Sequence, residues 1–150
     1  MGLFNARIRY ALAAAVDLAM QPGDRPVQSR DISRRQQIPA PYLGQILSAL
    51  KAAGIVRSVR GAGGGYVLAA PSDRLTVLDV VSAVTEGENL FHCDGESSSA
   101  VPGQCVNAVL KGLEEDVQQR VIEGLRSTTI AALAAKKQRG DARLTMRHGI

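Results

Sequence analysis

Few side chains in this 150-residue chain carry the chemistry of catalysis or metal binding. It has two cysteines, Cys93 and Cys105, and two histidines, His92 and His148. That is too few for a disulfide framework or a self-contained Cys/His zinc site. No Ser/His/Asp or Cys/His grouping has supporting spacing, and neither a P-loop nor a metalloprotease motif is present. An enzyme is therefore not expected. A second group of residues has the chemistry of nucleic-acid recognition. Gln45 can hydrogen-bond a base edge, and Tyr42 and Ser48 can reach phosphate or base. Arg60 stands before Gly61-Ala62-Gly63-Gly64-Gly65, where small residues let backbone approach a duplex and an arginine suits a narrow minor groove.

The elements that must position these residues follow from periodicity. Ile8, Leu12, Ala15, Val16 and Ala19 recur at helical spacing over residues 4–20, and Gln21-Pro22-Gly23-Asp24 stops that helix. A shorter helix is expected from Val27 to Gln37, with Ser29 as N-cap and Asp31 in its first turn. Ile38-Pro39-Ala40-Pro41 turns into a third helix. Leu43, Ile46, Leu47 and Leu50 form its core face, and Gly54 is its C′ residue. Two β-type runs, residues 55–60 and 66–70, flank the glycine turn and predict a hairpin. Thr76-Val77-Leu78-Asp79 has the shape of a capping box and opens a short helix to Val84.

Residues 86–103 form a polar, acidic loop. A long helix is then expected from Gln104 to Arg126, with Val106, Leu110, Leu113, Val117, Val121 and Leu125 as its apolar stripe. A break at Ser127-Thr128 leads to a short helix from Ile130 to Lys137, and residues 138–150 read as a frayed tail. The expected fold is mostly α with a small β-hairpin wing: a winged helix-turn-helix over 1–85, a sensor-like loop over 86–103, dimerisation helices over 104–137 and a flexible tail over 138–150.

Charge agrees with that division. The net charge is +4, but residues 1–75 hold ten basic groups against four acids, +6, while residues 76–150 come to −2. A basic half points to a polyanion, nucleic acid before membrane. No apolar run is long enough to span a membrane. Asp17 interrupts the first apolar stretch, so no signal peptide is read and the cytoplasm is the expected compartment. The candidate DNA contacts are Ser29, Pro41, Tyr42, Gln45, Arg57, Arg60, Gly63 and Gly64.

Several segments carry a family resemblance: Arg9-Tyr10-Ala11, Asp31-Ile32-Ser33, Pro41-Tyr42-Leu43, Gly54-Ile55-Val56 and, most specifically, Ser58-Val59-Arg60-Gly61-Ala62-Gly63-Gly64-Gly65-Tyr66. Over residues 1–135 the chain resembles the IscR/NsrR/CymR (Rrf-type) family of bacterial winged helix-turn-helix transcription regulators. The resemblance implies a homodimer on a near-palindromic operator. It implies Arg60 in a minor groove, and Pro41, Tyr42 and Gln45 on bases and phosphates. It also implies a long helix that crosses to the partner through Val106, Leu110, Leu113, Val117 and Val121. One departure is Gly44, where cluster-sensing relatives carry a glutamate, so switching between operator classes is not carried over.

Cluster-holding members use three cysteines in the loop before the long helix. Here those positions are Cys93, Ser99 and Cys105, and the position of the family's histidine ligand is Ala108. Serine is a hard, poor replacement for a thiolate. Three readings stay open. Cys93 and Cys105 hold an atypical iron–sulfur cluster, two-iron rather than four-iron, helped by His92, a carboxylate or the other subunit. Alternatively the two thiols form a redox switch, which the acidic neighbours Asp94 and Glu96 disfavour. In the third reading they are remnants, and the regulator senses a small molecule or a partner protein. A rival function is a protein-interaction module that kept the winged fold and lost DNA binding.

Overall fold

The computed structural model describes residues 3–23, 25–85 and 105–148. Its elements are α1 (Ala6–Ala19), α2 (Ser29–Gln36), α3 (Ala40–Ala52), β1 (Val56–Val59), β2 (Gly65–Leu68), α4 (Val77–Thr85), α5 (Cys105–Ser127) and α6 (Ile130–His148). The chain is thus mostly helical with one antiparallel hairpin, in the order of a winged helix-turn-helix.

The core forms where the apolar periodicities converge. Ala11, Ala14 and Ala15 of α1 let neighbouring helices approach closely, and Ile32, Ile38, Leu43, Ile46, Leu47 and Leu50 are buried against them. Val80, Val81 and Val84 of α4 complete the same cluster. Asn5 caps α1, accepting from the Ile8 N–H at 2.9 Å. At the end of α3, Gly54 has φ 74°. The Gly54 N–H donates to the Lys51 carbonyl and the Ile55 N–H to the Leu50 carbonyl, with Leu50 and Ile55 both buried. This is a Schellman ending, and it aims the chain into β1. The Thr76–Asp79 box forms in both directions: the Asp79 carboxylate accepts from the Thr76 N–H at 2.8 Å, and the Asp79 N–H donates to the Thr76 hydroxyl at 3.1 Å.

Three boundaries differ from the sequence reading. Ser29 does not cap α2: it is the first helical residue, and Gln28 precedes it in extended backbone. The cause is Val27, which pairs with Tyr66 as a β-bridge and keeps the chain extended up to Gln28. The α2–α3 turn passes through Gln37 at φ 53°, a left-handed position without a glycine to mark it. Finally, α6 runs to His148 instead of ending at Lys137 in a frayed tail. Only Gly140 is a poor helix former in residues 138–144, and Lys137 pairs with Asp141 at 2.9 Å across one turn.

The carboxyl-terminal helices are joined to the winged half by backbone. The Val77 N–H donates to the Thr128 carbonyl and the Ile130 N–H to the Leu75 carbonyl, both at 2.8 Å. Ile130 and Leu125 enter the core. Among the described residues no helix is long and apolar enough to cross a membrane.

Candidate nucleic-acid interface

The helix-turn-helix is held by an ion pair whose carboxylate is buried. Asp17 of α1 is only 3% exposed and receives Arg35 of α2 through two hydrogen bonds, Nε at 2.9 Å and Nη2 at 2.6 Å. Gln36 Nε2 adds a third at 2.7 Å. The Asp17 hydrogen bond raises the Arg35 pKa above its ordinary value. The share of stability that comes from this raised pKa is present below the ordinary guanidinium range and is lost as pH rises through it. The pair fixes α2 against α1, and α2 in turn frames α3.

The four buried residues of α3 leave its other face to solvent. Pro41, Tyr42, Gly44, Gln45 and Ser48 are all exposed. Pro41, Gly44, Gln45 and Ser48 line a shallow hollow whose far side is formed by Arg7 of α1. Tyr42 is 40% exposed, and its ring meets Tyr10 of α1 edge to face at a centroid distance of 5.7 Å. Tyr10 therefore orients the exposed tyrosine. Neither Arg7 nor Tyr10 stood among the sequence candidates as a contact, because proximity of α1 to the α3 face is a tertiary fact. Tyr10 entered the sequence reading only through the Arg9-Tyr10-Ala11 resemblance.

In the wing, Val56 pairs with Leu68, Arg57 with Val67, Ser58 with Tyr66 and Val59 with Gly65. Arg57 and Arg60 are both exposed, Arg60 where the chain leaves β1. The tip closes through the Gly64 N–H, which donates to the Gly61 carbonyl at 2.9 Å. The glycines are not equivalent. A Cβ at Gly64 would stand 2.3 Å from the Val59 carbonyl oxygen, whereas one at Gly63 would meet nothing within 4 Å. Gly64 shapes the turn; Gly63 has no internal steric reason to be small.

These features together make a helix-turn-helix with an exposed polar third helix and a basic glycine wing. Sequence comparison agrees over most of the chain. Residues 4–136 match the Rrf2 family, described as iron-dependent transcriptional regulators. The chain belongs to the Rrf2 family. It is 35% identical over 133 residues to the HTH-type transcriptional regulator IscR of Cereibacter sphaeroides, covering 87% of this chain and 86% of that one. It is 37% identical over 130 residues to IscR of Sodalis glossinidius, covering 87% and 77%. Among solved structures, CymR, the global cysteine regulator of B. subtilis, superposes with a TM-score of 0.71 at 30% identity over 91% of this chain and 98% of that one. IscR of T. potens gives 0.71 at 29% identity, covering 91% and 89%. This Rrf2 chain is a DNA-binding transcriptional regulator with a winged helix-turn-helix; its relatives are regulators, not enzymes.

The cysteine positions of this Rrf2 member lie at the edge of what is described. His92 and Cys93 fall outside the described residues, and Cys105 is the first residue of α5. Along α5, Val106, Val109, Leu110, Leu113 and Val117 are exposed, from 49% to 68%. Their steps of three, one, three and four put them on one face. Val121 stands apart from them, packed against the chain's own core. Val109 joins the stripe although the sequence reading did not include it.

Proposed function

We propose that two copies of this chain bind a near-palindromic operator, each laying α3 in a major groove and the wing in the adjacent minor groove. The observation that supports this most directly is the exposed face of α3, polar and low in relief around Gly44 and Ser48. Gln45 reads a base edge, with Pro41 and Tyr42 on the neighbouring bases and phosphates. Ser29, at the first turn of α2, and Arg57 take backbone phosphates. Arg60 enters the minor groove, and Gly63 and Gly64 admit the duplex close to the wing backbone. The α5 stripe from Val106 to Val117 joins the two copies, and the regulator acts on DNA in the bacterial cytoplasm. In this reading residues 1–85 form the DNA-binding unit, 86–103 the sensor segment and 104–137 the dimerisation helices.

Sensing centres on Cys93 and Cys105. Iron–sulfur clusters take four ligands, normally thiolates, and this chain offers two cysteines, with His92 preceding Cys93 in sequence. The chain's own cysteines do not complete such a set. A two-iron cluster here would need a carboxylate or the second subunit for its remaining ligands. Sensing of a small molecule or partner protein without a cluster is the alternative, and the gap at Ser99 and Ala108 supports it. The DNA-reading geometry is independent of that choice.

The test is fluorescence anisotropy on a duplex selected from a random 30-bp library. Affinity is expected to fall steeply with salt, since phosphate contacts release counterions. Arg60→Ala should weaken binding by about 10-fold, in the range of a lost base-edge or groove contact, with an unchanged circular dichroism spectrum. Salt-insensitive binding would favour a protein-interaction module. Unchanged affinity in Arg60→Ala would remove the wing from the mechanism.

A further inference from the structure

The wing is not a free hairpin. Val27, in the connection between α1 and α2, lies beside β2 as a one-residue third strand. The Val27 N–H donates to the Tyr66 carbonyl at 2.9 Å, and the Tyr66 N–H donates to the Val27 carbonyl at 2.8 Å. Gly65 makes this approach possible. Its φ is 155°, and a Cβ there would stand 2.3 Å from the Val27 carbonyl oxygen, 2.5 Å from its carbonyl carbon and 2.9 Å from the Gln28 nitrogen. All three are backbone atoms, so no side chain can swing aside to relieve the overlap. Val27 is buried, and Gln28 is the residue from which α2 starts.

We propose that Gly65 is a positioning residue that sets the wing against the helix-turn-helix, and thereby makes Arg60 a reader of the DNA flanking the α3 site. The inference rests on the DNA reading above. The backbone bridge ties the wing to Val27, two residues before α2 begins, and α2 and α3 share a core through Ile32, Ile38 and Leu43. The spacing between Gln45 and Arg60 is therefore fixed before DNA is met. A side chain at position 65 must push β2 away from Val27. The α2–α3 unit, held separately by Asp17 and Arg35, stays in place. The wing tip then loses its fixed position, and Arg60 stops contributing although it is still present.

The experiment is a double-mutant cycle on the full-length chain, with the duplex that wild-type protein selects from the random library. In the wild-type background Arg60→Ala should weaken binding about 10-fold. In the Gly65→Ala background the same change should have less than a twofold effect. Gly65→Ala should also select the same core sequence as wild type while losing base preference in the flank, a readout that a general loss of stability does not produce. Val27→Pro, which removes one bridge N–H without adding bulk at position 65, serves if Gly65→Ala fails to fold, and should likewise abolish the Arg60 effect. An Arg60 effect of equal size in both backgrounds, with the flank preference retained, overturns the inference while leaving the DNA reading intact. No duplex recovered with wild-type protein, or no Arg60 effect in wild type, overturns the reading on which it rests.

Discussion

Single residues in this fold divide between those that hold the reading head and those that form its surface. Asp17 belongs to the first group. A carboxylate 3% exposed is tolerated because three side-chain N–H groups reach it. Asp17→Asn keeps one acceptor oxygen but takes the charge from beneath Arg35, and leaves a guanidinium whose side chain is 39% exposed. Because water reaches Arg35, the cost falls below that of a fully buried broken pair. The expected loss is about 2 kcal/mol, read as a lower urea midpoint with an unchanged slope. A midpoint equal to wild type would mean that the pair does not hold α1 to α2. The sequence reading used Asp17 only as an interruption of an apolar stretch. Its partner lies eighteen residues away on another helix, a separation that periodicity does not report.

At the scale of elements, legibility followed the locality of the cause. Helix α3 could be read because both its core spacing and its stop signal at Gly54 are local, and the Schellman hydrogen bonds are what that glycine predicts. The Thr76–Asp79 box was legible for the same reason. The start of α2 was not, since Ser29 has the chemistry of a cap but the backbone pairing of Val27 with Tyr66 decides where the helix begins. The extension of α6 to His148 was missed because residues 135–144 are exposed, so no apolar periodicity signals them. Helix propensity and the Lys137–Asp141 pair carry that segment instead. Gly44 offers a test at this scale. It sits exposed within α3, and a Cβ there would meet nothing within 4 Å. Gly44→Ala should therefore raise stability by up to about 1 kcal/mol through helix propensity alone, seen as a higher melting temperature. A fall in stability would show that α3 is strained at this position.

The molecule as a whole carries two unlike surfaces. Residues 1–75 hold the basic excess and the reading head, whereas residues 76–150 are slightly acidic and hold an apolar stripe on α5 that a single chain leaves in water. Val106, Val109, Leu110, Leu113 and Val117 are between 49% and 68% exposed, while α5 is anchored at its other end by Leu125 in the core. A contiguous apolar face on an otherwise charged helix is the kind of surface that a partner covers. In the proposed dimer a second copy of the same helix would supply the matching face, with the two-fold symmetry a palindromic operator requires. Leu113 lies in the middle of the stripe and is 59% exposed in the isolated chain. An aspartate there costs a folded monomer little, but in the dimer it would be buried without a partner. Leu113→Asp should therefore sediment as a monomer with a native circular dichroism spectrum. Its operator affinity should drop about 100-fold or more as two linked half-site contacts become one. A Leu113→Asp protein that stays dimeric at micromolar concentration would place the subunit contact elsewhere and leave the α5 stripe to a different partner.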